Sequence, residues 1–250
     1  MVVTNFIAVS NVSKEAFKTA TLLKTLSVNA LITGEAGVGK KSLAQYILPN
    51  APILDASSFD ELLTALQSNK QVVITNLQNI PNLLTLIEII KKNNIRVVAT
   101  AKYAIESDDL DELFSVKFDL PPLTQRKEDI AELIAIFSQE ASSLFGVSNE
   151  LNKEDFTPDL SINSHSLKRQ VMINYLLDDI RDTELMDIIE KYLSDKLGSN
   201  SDYRDFLYLY EAPLIKAGLQ KFKSQLKLSD KLGLNRNTLR KKIADNKKYL

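Results

Sequence analysis

Apolar positions along this chain fall into two rhythms, short continuous runs and helical spacing. Residues 30–48 read ALITGEAGVGKKSLAQYIL: an apolar run, a glycine-rich turn, then apolar positions three and four apart. This pattern predicts a buried strand, a tight loop and a helix. Val72-Val73-Ile74 and Ile95 to Ala99 are further runs of the kind buried on both faces, and LLTLIEIIKK between them has helical spacing. Strands therefore alternate with helices, as a parallel sheet demands. Pro121-Pro122 closes this region. Beyond it LTQRKEDIAELIAIFSQEASSLFG opens a stretch of helical spacing with no strand signal, and GSNS at 198–201 reads as a linker. EAPLIKAGLQKFKSQL then predicts an amphipathic helix. After it, Leu228, Leu232, Leu234, Leu239 and Ile243 are spaced so that a short helix, a turn at Gly233 and a second helix bury their apolar faces together. The expected fold class is α/β. Residues 1–123 form a parallel sheet flanked by helices around the glycine-rich loop, 124–197 a small helical lid subdomain, and 202–250 an all-α helix-turn-helix.

Charge separates the last of these segments from the rest. From Pro213 to Leu250 eleven Lys or Arg face two acidic residues, a formal +9, so with −1 for the whole chain the first 212 residues carry −10. A basic module on an acidic body is an expected footprint of a nucleic-acid binder. In the tail, Gly233 supplies the positive φ that ends one helix, and Asn235 or Asn237 can cap the next. Such a cap leaves Arg236, Asn237, Thr238, Arg240, Lys241 and Lys242 on the part of the helix that meets base edges and phosphates. Arg suits guanine and Asn adenine, while Lys mainly neutralises phosphate. The expected partner is double-stranded DNA, and Asn235, Arg236, Asn237, Thr238, Arg240, Lys241 and Lys242 are the candidate contacts.

The glycine-rich loop carries a second chemistry. Three of the seven glycines lie in the segment Gly34, Glu35, Ala36, Gly37, Val38, Gly39, Lys40, Lys41. There, successive backbone N–H groups can converge on a phosphate at a helix N-terminus while Lys40 adds a point charge. Lys41 stands where a Ser or Thr would hold Mg²⁺, with Ser42 one residue late. With no Cys and one His, disulfides, thiolate metal sites and the usual zinc sets are excluded, and no structural metal is expected. His165 reads as a surface or capping residue. The N-terminus has no basic start with an apolar stretch behind it, and LLTLIEII is too short to span a bilayer. A cytoplasmic protein without membrane contact is expected.

The phosphate loop, VITNLQNIP, RVVATA and DLPPLTQRKEDIAELIAIF resemble, in that order, segments of the AAA+ module of NtrC-like activators, the sigma-54-dependent enhancer-binding proteins. The tail, with NRNTLRKK, resembles the Fis-type DNA-binding domain that ends members of that family. The resemblance implies ATP as the ligand of the loop and a homodimer through the C-terminal domain. No receiver domain is expected, because the AAA+-like segment begins almost at Met1.

Departures from that family shape the functional expectation. The metal-holding Asp and its neighbouring Glu, which a hydrolysing P-loop protein needs, are replaced by Thr75 and Asn76. No GAFTGA hexapeptide, the family's sigma-54-engaging loop, occurs. From Ala101 to Gln125 there are Lys102 and Lys117 but no Arg to act as a finger. The family's sensor arginine aligns loosely with SHSLKRQV, where Lys168 or Arg169 stands in. The expectation is a DNA-binding transcriptional regulator, not an enzyme, whose degenerate module binds ATP without turnover. Two alternatives stand beside it: an active ATPase in which Asp55 or Glu88 replaces the lost metal ligand, and an interaction module that docks other regulator proteins, with YRDFLYLY as its contact.

Overall fold

The computed structural model describes residues 6–146, 151, 156–178 and 180–250. The chain divides into two compact units, Met1–Ile180 and Arg181–Leu250.

The first unit is built on five parallel strands, β1 (Ala30–Thr33), β2 (Ile53–Asp55), β3 (Gln71–Thr75), β4 (Arg96–Thr100) and β5 (Val116–Asp119), in the order β2-β3-β4-β1-β5. Ala30 stands opposite Val98 on one side and Val116 on the other, which makes β1 the second strand in from the β5 edge. The centres of the inner strands, 30–32, 72–74 and 97–99, are apolar because both of their faces are covered. Ala30, Ile32, Val73 and Val98 pack under α1 (Asn11–Thr25) and α2 (Lys40–Ile47). Their alternates Leu31, Val72, Ile74, Val97 and Ala99 pack under α3 (Phe59–Ser68), α4 (Leu83–Asn93) and α5 (Asp108–Leu113). The two side-chain directions of each strand thus feed two separate cores, giving helix, sheet and helix layers.

Two longer helices follow the sheet, α6 (Lys127–Phe145) and α7 (Ser164–Asp178). They share a small core of Ala141, Val171 and Tyr175 with Phe137, Phe145 and Met172 around it. The structure adds β2 and β5, and the helices α1, α3 and α5, to the elements expected from the sequence.

The second unit is all helical: α8 (Asp182–Ser194), α9 (Asp202–Phe206), α10 (Tyr208–Phe222), α11 (Gln225–Leu232) and α12 (Arg236–Asp245). Ile215, Leu228 and Leu239 form the centre of its core, ringed by Leu219, Phe222, Leu232, Leu234 and Ile243. Gly218 permits this packing, since a Cβ there would lie 2.3 Å from Leu228 Cδ1. Among the described residues no helix is long and apolar enough to cross a membrane.

Candidate functional site

The loop from Gly34 to Gly39 joins β1 to α2 at the C-terminal edge of the sheet. Its three glycines have φ of +135°, +77° and +104°, a region where residues with a Cβ are strained. Gly34 and Gly37 are also sterically obliged: a Cβ would come within 2.4 Å of the Leu120 carbonyl oxygen in one case and of the Ile162 carbonyl oxygen in the other. Gly39 begins α2, and no side chain caps the helix. Its first N–H groups therefore remain available to an anion, with the helix dipole behind them. Lys40 Nζ donates to the Gly34 and Glu35 carbonyls, 2.6 Å each. Burial lowers the pKa of Lys40, against the opposing pull of Asp119 and Glu35. Lys41 is exposed and Ser42 half-buried.

Beside the loop lies a hollow of about 740 Å³, bounded by Phe6, Ser42, Arg126, Ile136, Phe137 and Lys168. Lys168, one of the two candidates for the sensor position, faces this hollow and is bonded to Glu140 at 2.6 Å. Arg169 instead lines a separate depression with His165 and Asp159. His165 is exposed.

At the end of β3 lie Thr75 and Asn76, the two positions where the sequence leads us to expect acidic residues to be replaced. Asn76, in a left-handed conformation at φ +55°, donates through Nδ2 to Asp55 Oδ2 at 2.6 Å. Thr75 Oγ1 donates to the Leu54 carbonyl, 3.1 Å, and to Asp55 Oδ2, 3.4 Å. Burial pushes the Asp55 carboxyl up, but hydrogen bonds from Ser57, Asn76 and Thr75 outweigh it and hold the pKa below its ordinary value. Asp55 is thus already engaged by neutral donors. Glu88 is exposed on α4. Lys102 is exposed, and Lys117 pairs with Asp111. Among the described residues no three of His, Cys, Asp and Glu are grouped to hold a metal ion.

Sequence reasoning missed a buried charged pair. Arg126 and Asp129, only 2% and 0% exposed, lie 3.6 Å apart. Arg126 Nη2 donates to the Val38 carbonyl of the loop, 2.9 Å, and Nη1 to Ser13 Oγ, 3.1 Å. Asp129 accepts from the Val9 and Ser10 amides, 2.8 Å each, and from the hydroxyls of Ser10 and Ser13. Four donors satisfy the Asp129 carboxylate, which is what lets a charge persist at this depth, whereas Arg126 Nε is buried without a hydrogen-bond partner. The pair spans the start of α1, the loop and the start of α6. Its only sequence trace is an Arg and an Asp three apart at the head of an apolar helical run.

In the second unit, Asn235 is the residue that caps α12, its Oδ1 accepting from Asn237 N at 2.9 Å. Gly233 ends α11 at φ +63°. Asn235, Arg236, Asn237, Thr238, Arg240 and Lys241 are all exposed, while Leu239 points into the core. Lys242 is set apart from these six. It is half-buried and pairs with Glu211 of α10, which Asn246 Nδ2 also reaches at 3.4 Å. An apolar hollow of about 630 Å³ lies between α8 and α10, lined by Leu185, Ile189, Leu193, Tyr203, Tyr210 and Leu214. None of the α8 side chains is buried.

The parallel sheet, the glycine loop at its edge and the two-helix lid define an AAA+-type P-loop fold. The chain is similar to the solved structures of NtrX from Brucella abortus. With the ADP complex it shares 16% identity at a TM-score of 0.58, over 96% of this chain and 69% of that one. With the ATP complex the identity is 14% and the TM-score 0.59, over 98% and 69%. Neither a protein-family model nor a curated protein matches the sequence.

Proposed function

We propose that this protein is a DNA-binding transcriptional regulator whose AAA+-type body holds ATP without hydrolysing it. The carrying observation is the exposed row Asn235, Arg236, Asn237, Thr238, Arg240 and Lys241 on and beside a capped helix, within a tail of formal charge +9. In this reading α11, Gly233 and α12 are a helix-turn-helix of the Fis type. Arg and Asn read base edges and the lysines neutralise phosphate. The protein acts as a homodimer through its C-terminal unit, since two half-sites give an affinity that one helix rarely reaches. The exposed apolar side of α8 and the neighbouring hollow support this, because an uncovered face of that kind suits a subunit contact. The working compartment is the cytoplasm.

Nucleotide binding is supported by the uncapped start of α2 and by the glycine conformations. Charge placement supports the lack of turnover. Phosphoryl transfer is mainly the placement of cations and a positioned water, and here Thr75 and Lys41 stand where the metal would be held and Asn76 where a Glu would position the water. Asp55, the substitute ligand of the ATPase alternative, is occupied by Asn76, Thr75 and Ser57.

Two measurements test this reading. Selection from sheared genomic DNA at about 150 mM salt, where most non-specific phosphate contact is weakened, is expected to recover a few sites sharing a palindromic motif. Uniform recovery would contradict sequence-specific regulation. Steady-state phosphate release is expected to stay at background, and turnover of about 1 s⁻¹, the scale of working phosphoryl-transfer enzymes, would refute the non-hydrolysing body.

A further inference from the structure

The carbonyls of the phosphate loop are held by the lid. Asn163 sits at φ +50° and is 1% exposed, at the turn that opens α7. Its Nδ2 donates to the Ala36 carbonyl and to Glu35 Oε2, both at 3.0 Å. Its Oδ1 accepts from Leu123 N at 2.7 Å, in the connection between the sheet and α6. Ser164 follows, donating to the Gly37 carbonyl through its amide at 3.1 Å and through its hydroxyl at 2.6 Å. The turn is itself braced: Ser166 Oγ accepts from Ile162 N at 2.9 Å and lies 2.8 Å from the Asp159 carbonyl. The 2.4 Å clearance between a Cβ on Gly37 and the Ile162 carbonyl leaves no room for an added atom between turn and loop.

A nucleotide closes a lid by bridging two parts that otherwise lie apart. Here the two parts are joined by direct hydrogen bonds to the Ala36 and Gly37 carbonyls and to the Glu35 carboxylate, none of which uses the amides at the start of α2. We infer that the Asn163–Ser164 turn is a latch that keeps the lid shut on the phosphate loop without any nucleotide, with Asn163 pinning loop, lid and the Leu123 connection together. Bound nucleotide then adds to a closed body and does not drive the closure. The latch rests on the loop and lid geometry alone and is independent of DNA recognition.

Amide hydrogen exchange on the full chain, read with and without ATP, tests this. In the nucleotide-free protein the Ser164 and Leu123 amides are expected to exchange slowly, and ATP at 1 mM to slow Ser164 no further. Asn163→Ala removes both sets of bonds and is expected to speed exchange at Ser164 and Leu123 by at least about tenfold, the scale of one or two lost hydrogen bonds. Asn163→Asp keeps the acceptor for Leu123 but loses the donor to the loop and sets a carboxylate against Glu35. It is expected to speed Ser164 alone, a split that general destabilisation would not produce. Should Asn163→Ala fail to fold, Asn163→Asp and Ser164→Ala still give the readout. Fast Ser164 exchange in the free protein that ATP suppresses, or variants that exchange like the parent, would overturn the latch.

Discussion

Asp55 and Lys40 show how the same edge of the sheet treats opposite charges. Hydrogen bonds lower the Asp55 pKa from its ordinary 3.8, so its ionised form is favoured on folding. That contribution is fully present above the unfolded value and is lost as pH falls through the folded one. Asp55→Asn is therefore expected to melt at lower temperature than the parent near pH 7, with the difference closing as the pH falls below the ordinary 3.8 and through the lower folded value. A gap that persists in acid would mean that Asp55 acts through shape and not charge. Lys40 moves the other way. Burial lowers its pKa from 10.5, so the charge that an anion needs is lost at lower pH than for an exposed lysine. Titration of ATP binding is expected to weaken on the alkaline side before the ordinary value is reached, and Lys40→Ala to abolish this pH dependence along with most of the affinity.

At the scale of the element, glycines divide into those set by conformation and those set by contact. Gly233 has nothing within 4 Å of a would-be Cβ, so Gly233→Ala is expected to cost only the left-handed strain of about 1–2 kcal/mol. Gly218 is helical, but its Cβ would strike the end of the buried Leu228 side chain, so Gly218→Ala must push that side chain out of its packing in the core. Thermal melting is expected to show a larger loss for Gly218→Ala than for Gly233→Ala; equal losses would refute the close approach. The inner strands were legible because a strand covered on both faces must be a continuous apolar run, as in Val72-Val73-Ile74 and ALIT. The outer strands were not. Ile53–Asp55 is three residues long and half-buried, and Val116–Asp119 alternates half-buried with exposed positions, patterns that loops share. The phosphate loop and the capped basic helix were legible because glycine spacing and Asn before Arg have local causes. Arg126, Asp129 and Asn163 were not, since a polar residue acquires its meaning from partners more than a hundred positions away, such as Ser13 or Ala36.

Over the whole molecule, charge and apolar surface are both unevenly distributed. The stretch 181–212 carries eight acidic and four basic residues, against the formal +9 of 213–250. On α8, Leu185 and Ile189 share one side of the helix and are 42% and 39% exposed, and Tyr203 beyond it is 81% exposed. Covering such a face with a second copy predicts that the full chain sediments as a dimer and that Ile189→Glu with Tyr203→Glu yields a monomer. Because log affinity falls by about 0.9 per phosphate contact per log unit of salt, the monomer is expected to show roughly half the parent's salt slope on operator DNA. An unchanged slope would place the dimer contact elsewhere. The Glu211–Lys242 pair, joined by Asn246, ties the back of α12 to α10. A cylinder held only by the greasy side chains around Leu239 is free to roll; the tie supplies an azimuth. On the proposed reading of α12 as the DNA-facing helix, Glu211→Gln is expected to leave the helix its stickiness for DNA and cost it its sense of direction, so that closely related sequences become harder to tell apart.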